Sequence, residues 1–84
     1  MASLETYAHK SPWRWIHPEK RRWYTLILTL DLFGEWELIR CWGALDSRRG
    51  GQIREFLDDP EDIEQIIDGI DRRRRQRGYI PVET

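Results

Sequence analysis

The 84-residue sequence predicts an α+β domain. Two runs of alternating apolar residues are separated by a glycine-bearing turn. A single isoleucine stripe at helical spacing then lies between an acidic start and an arginine-rich end. Strands followed by a helix, rather than strands alternating with helices, place the chain in the α+β class.

The first run predicts a strand over about 22–30. Trp23, Thr25, Ile27 and Thr29 fall on one face, and Tyr24, Leu26, Leu28 and Leu30 on the other, which is the expected core face. Asp31-Leu32-Phe33-Gly34 reads as a reversing loop in which Gly34 supplies a positive φ. A second strand follows over about 35–44. Neither of its faces is wholly polar, so it is expected in mid-sheet with material packed on both sides. Arg40 is the odd member, flanked on its own face by Leu38 and Trp42, and must be paired or snorkel out. After the turn Asp46-Ser47-Arg48-Arg49-Gly50-Gly51, a third strand is expected over about 52–57.

The helix is expected to open at Pro60, with Asp58 or Asp59 as its N-cap and Glu61 and Asp62 in its first turn. Ile63, Ile66, Ile67 and Ile70 form its apolar stripe, and Gly78 ends it as the C′ residue. The arginines at 72–75 and 77 occupy the last turn, where the helix dipole favours cations, and this explanation lowers their weight as a binding patch. Tyr79-Ile80-Pro81-Val82 is expected to be an edge strand, because Pro81 lacks a donor.

Residues 1–21 show no clean period, and Pro12 and Pro18 interrupt any helix there. They are read as a basic, aromatic N-terminal arm, irregular or briefly extended and tacked down by Trp13 and Trp15, ahead of a domain spanning 22–84. Five tryptophans in so short a chain point first to an aromatic core and second to a stacking or gripping surface.

Net charge is −1, but it is segregated. Residues 1–24 carry five bases against two acids, and residues 51–71 carry eight acids against one base. Such segregation creates local fields despite near-neutrality. Cys41 is alone, so no intrachain disulfide forms. With no leader-like start and no apolar run near the ~20 residues a bilayer needs, a cytoplasmic protein with no membrane role is expected.

Residues 22–82 resemble the WGR domain, which lies beside the catalytic region of poly(ADP-ribose) polymerases and also occurs in bacteria as a stand-alone protein. The resemblance rests on Tyr24 and Leu26, on Asp31-Leu32-Phe33-Gly34, and on Trp36, Leu38 and Arg40 leading into Trp42-Gly43. It continues through Gly50-Gly51-Gln52 to a helix with a basic end and Gly78-Tyr79. It implies an antiparallel sheet with one helix packed across it. It also gives Trp42 a position that stacks on the sugar of a terminal nucleotide. The sequence departs from the motif at Ala44, which stands where the motif has arginine, and in the turn 45–49. Arg48 and Arg49 are the residues that can return charge to that region.

No catalytic set emerges. His9, His17 and Cys41 lack metal-ligand spacing, the histidines are expected at the surface, and Cys41 reads as a small buried hydrophobe. Gly50-Gly51 lacks the Lys and Ser/Thr of a phosphate loop. The expectation is a non-enzymatic binding module with no cofactor and no metal. The first reading is nucleic acid, in particular DNA, with Trp42 stacking and Arg40, Arg48 and Arg49 meeting phosphate. The second is a protein-interaction module in which Trp13, Trp15 and Trp23 form an aromatic patch. Oligomeric state is not fixed by the sequence.

Overall fold

The computed structural model describes residues 4–57 and 62–82. In chain order the elements are α1 (Leu4–Ala8), β1 (Trp13–His17), β2 (Arg22–Leu30), β3 (Trp36–Ala44), β4 (Gly50–Phe56), α2 (Ile63–Gln76) and β5 (Ile80–Val82). The strands form one antiparallel sheet in the order β4-β3-β2-β1-β5. The fold is α+β, as expected, with α2 packed across the sheet and the short α1 beside it.

Residues 13–17 correct the expectation of an arm. They form an interior strand, β1, paired with β2 on one side and β5 on the other. Five residues are too few for a period of 2 to register between two prolines, yet β1 carries the side chain that organises the core. Trp15 is 2 % exposed and lies edge-on to Tyr24 at 5.9 Å. Its indole Nε1–H donates to Asp71 Oδ1 of α2 at 2.9 Å. The start of β1 is fixed to β2 by Ser11, whose Oγ accepts the Leu28 N–H at 3.0 Å.

The predicted alternation of β2 holds over residues 24–28, but Leu30, expected on the core face, is exposed at the end of the strand beyond the reach of the helices. Tyr24, Leu26 and Leu28 face α2 and are buried, joined by Leu38 of β3. The helix answers with Ile63, Ile67 and Ile70, while Leu4 of α1 closes the cluster. Gly34 has φ +79°, and Asp31 Oδ1 accepts the N–H groups of Phe33 and Glu35 at 2.9 and 2.8 Å, which organises the β2–β3 reversal. The expected N-cap residues 58 and 59 and the expected first position, 60, lie outside the described residues. Asp62 precedes the helix without a side-chain cap bond. At the other end, Gly78 (φ +91°) donates to the Arg75 carbonyl and Tyr79 to the Arg74 carbonyl, a complete Schellman closure.

β3 departs from expectation. It is interior, but among the described residues only one face of the sheet carries helices, and there β3 contributes Leu38 to the core with Trp36 packed partly against it. The register puts Glu37, Ile39, Cys41 and Gly43 on the uncovered face with Trp23, Thr25 and Ile27. Cys41 is therefore half-buried rather than a core residue, its Sγ 4.0 Å from Gln52 Oε1. β4 begins at Gly50, earlier than expected, and is exposed along its whole length. His17 is buried rather than superficial. Its Nδ1 accepts the Lys20 N–H at 3.1 Å and its ring meets Tyr79 edge-on, while His9 is exposed. Among the described residues no helix is long and apolar enough to cross a membrane.

A core role for β1 predicts that Trp15→Ala destabilises the fold by about 3–5 kcal/mol, the range for emptying a buried tryptophan site. Urea unfolding checks this. A peripheral arm would give a change within about 0.5 kcal/mol.

Candidate nucleic-acid interface

Because the helices cover only part of the sheet, the helix-side face of β3 and β4 borders an open cleft of about 640 Å³. Its floor follows from strand register. Tyr24, Trp42 and Gly51 lie side by side across β2, β3 and β4, and Arg40 lies next to Leu26 and Ile53 in the adjacent row. Trp42 is 37 % exposed. Its indole rests over Gly51, where an added Cβ would come within 2.8 Å of Trp42 Cζ2. Glycine at 51 is therefore what allows the ring to lie flat against the strand rather than stand away from it.

The cleft wall comes from α2. The isoleucine stripe at 63, 67 and 70 continues at helical spacing into Arg74 and Arg77, so the same helix face that buries isoleucine along its length turns basic at its end. Arg74 is fixed by two rings, with its guanidinium 4.5 Å from the Tyr24 centroid and 5.2 Å from the Tyr79 centroid. Arg22 enters from β2 and Arg49 from the β3–β4 turn. Five arginines thus line the cleft and, among the described residues, no carboxylate does.

Pairing among these arginines is incomplete. Only Arg40 has a carboxylate in ion-pair reach among the described residues: Glu55 Oε1 lies 3.3 Å from its Nε. That contact is not aligned as a hydrogen bond, and Arg40 Nε is buried without an acceptor. A desolvated, unsatisfied guanidinium N–H is unfavourable until an acceptor reaches it. Four unpaired arginines beside it repel one another and attract an anion.

Of the residues expected to form a site, Trp42, Arg40 and Arg49 share this cleft. Arg48 does not. It lines a smaller depression of about 390 Å³ that also includes Trp23 and Cys41 of the opposite sheet face. The expected patch of Trp13, Trp15 and Trp23 does not form, because Trp15 is core, Trp13 packs against that core and Trp23 faces the other way. Arg22, expected to add charge from the end of the basic stretch 10–22, lines the cleft, whereas sequence reasoning missed Tyr24, Arg74, Arg77 and Tyr79 as site residues. The signal for Arg74 and Arg77 was the continuation of the stripe, obscured by reading the basic run as dipole compensation alone. Ala44 also lines the cleft, and its cross-strand partner is Arg22.

Next to the cleft, Arg21 and Asp46 tie the β1–β2 loop to the β3–β4 turn. Arg21 Nε and Nη2 donate to the two Asp46 oxygens at 2.6 and 2.8 Å, and the Leu45 N–H donates to the Arg21 carbonyl at 2.8 Å. This clamp holds Arg21 in the left-handed region at φ +52°. No family model, curated protein or solved structure matches the chain.

The hydrogen bonds from Arg21, aided by its charge, hold the Asp46 carboxyl below its ordinary value. A carboxyl depressed in the folded state stabilises above the unfolded value of about 3.9 and loses that contribution as pH falls through the folded one. Carbon-13 titration of Asp46 should show the low value, and Arg21→Ala should return it to the ordinary range. An Asp46 that titrates identically in both proteins would rule the clamp out.

Proposed function

We propose that the chain is a non-enzymatic, WGR-like module that binds nucleic acid, in particular DNA, in the cleft between β3–β4 and the end of α2. The observation that carries this reading is the five-arginine lining around the exposed indole of Trp42, with no carboxylate among the described residues of the wall. Guanidinium groups suit phosphate, and an open indole face suits a sugar or base. Arg22, opposite Ala44, supplies the charge that the WGR motif carries one strand away. Glu55 is the internal anion that an incoming phosphate displaces from Arg40.

A second reading has its own observation. The helix-free sheet face carries the half-buried Ile16, Trp23 and Ile27, with Phe56 and Ile80 exposed at its margins, a surface suited to a protein partner. Salt separates the two, since apolar docking persists at ionic strengths that abolish phosphate contacts.

Anisotropy titration of labelled blunt and overhanging DNA at low and moderate salt tests the first reading. Binding should fall steeply with salt, and Arg77→Ala should reduce the slope of log affinity against log salt by about 0.7–0.9. Trp42→Ala should weaken binding by about 1–3 kcal/mol. Glu55→Gln should tighten it, because the competitor for Arg40 is gone, and the gain should vanish in an Arg40→Ala background. Absence of binding at both salt concentrations would overturn the nucleic-acid reading.

A further inference from the structure

We infer that the ligand path does not end in the cleft but crosses the tip of the β3–β4 hairpin into a second subsite on the opposite sheet face, built from Trp23, Arg48 and Arg49, so that the ligand is a single strand of nucleic acid rather than a duplex. This inference rests on the nucleic-acid reading of the cleft and extends it.

The neck of the hairpin is thinned on both faces. Gly43 pairs with Gly50 on the uncovered face, and Gly51 lies across from Trp42 on the helix side. Each bare stretch is occupied by an indole. Trp42 lies over Gly51, and Trp23, from the neighbouring strand, lies over Gly43, where an added Cβ would come within 2.7 Å of its ring. Two aromatic platforms therefore face in opposite directions across one narrow strand pair. Between them the loop is tightly closed, with the Ala44 N–H donating to the Arg49 carbonyl at 3.2 Å and the Arg49 N–H to Ser47 Oγ at 3.2 Å.

The charges are continuous over this tip. Trp23, Trp42, Arg49 and Gly50 line both the cleft and the second depression, so the two are continuous around the tip, and Arg48 lines the second alone. Neither has a carboxylate in ion-pair reach among the described residues, since the acid of this turn, Asp46, is held by Arg21. Among the described residues the second depression also has no acid in its lining. A flexible strand follows such a path, stacking on one indole, passing phosphate over the arginines and stacking on the next. A duplex is too broad and stiff to fold over a two-stranded hairpin.

The test is anisotropy titration of the full chain with labelled oligothymidylates from about two to about ten nucleotides, using wild-type, Arg48→Ala and Arg77→Ala proteins. Wild-type affinity should rise with length and then level. Arg48→Ala should match wild-type on the shortest strand and fall about 3–10-fold below it on long ones, with a salt slope about 0.7 smaller. Arg77→Ala, in the cleft, should weaken every length alike. Cys41, in the second depression, gives an independent readout: long strands should slow its alkylation by iodoacetamide, and the shortest should not. Arg48→Ala indistinguishable from wild-type, an equal loss at all lengths, unprotected Cys41, or a duplex bound as tightly as a single strand of equal length would each overturn the second subsite while leaving the cleft intact. A wild-type chain that binds no oligonucleotide of any length overturns both.

Discussion

The contact between Trp15 and Asp71 sets the geometry on which the cleft depends. Trp15 sits at the centre of β1, and its indole brings a large apolar surface and one N–H that must be satisfied once buried. Asp71 satisfies it, and Asp71 belongs to the same helix as the isoleucine stripe. The helix is thereby located over β1 and β2 both by burial, which is non-directional, and by one hydrogen bond, which is directional. With its register fixed there, the next turns carry Arg74 over Tyr24 and leave β4 uncovered. Asp71 also receives Arg75 at 2.9 Å, so its second oxygen is not left without a donor.

The arginine run is consequently not one feature. Arg75 is spent on Asp71, Arg74 and Arg77 face the cleft, and Arg72 and Arg73 are exposed. Dipole compensation applies to all of them, because it depends only on distance from the helix end. What distinguishes them is azimuth. At about 3.6 residues per turn Arg74 and Arg77 fall nearest the azimuth of Ile63, Ile67 and Ile70, Arg73 lies at its edge and Arg72 opposite, and Arg74 and Arg77 are the two that line the cleft.

Most of the fold was legible where a local period or a backbone requirement was written over enough residues. The nine residues of β2 alternate cleanly, Gly34 and Gly78 take the positive φ their turns demand, and Pro81 marks an edge. β1 was not legible, since five residues between two prolines offer too little pattern and their strand character comes from pairing with β2 and β5. Of the site, Trp42, Arg40 and Arg49 could be named from β3 and its turn. Their company, Tyr24 from β2 and the arginines of α2, could not, because it depends on how far across the sheet the helix lies. Arg48 and Arg49 are adjacent in sequence and were grouped on that ground. The turn lets Arg49 reach both depressions and Arg48 only the second, which no composition argument distinguishes.

A chain of net charge −1 is not an obvious partner for a polyanion, and the resolution lies in where its charges are confined. Glu64 and Asp68 are on the exposed surface of α2, and Asp46 and Glu37 are engaged by Arg21 and Arg54. Of the arginines without an ion pair among the described residues, Arg22, Arg49, Arg74 and Arg77 converge on the cleft and Arg48 lies at the hairpin tip, while Arg14, Arg72 and Arg73 lie elsewhere. At physiological ionic strength the field of the whole molecule is screened within about 8 Å, so a ligand at the cleft responds to the near arginines far more than to the acids of the outer helix surface. Near-neutrality then has a use. On the proposed nucleic-acid reading, it limits indiscriminate attraction to polyanions, which scales with the number of phosphates neutralised, and leaves affinity dependent on the indoles and the half-buried Arg40.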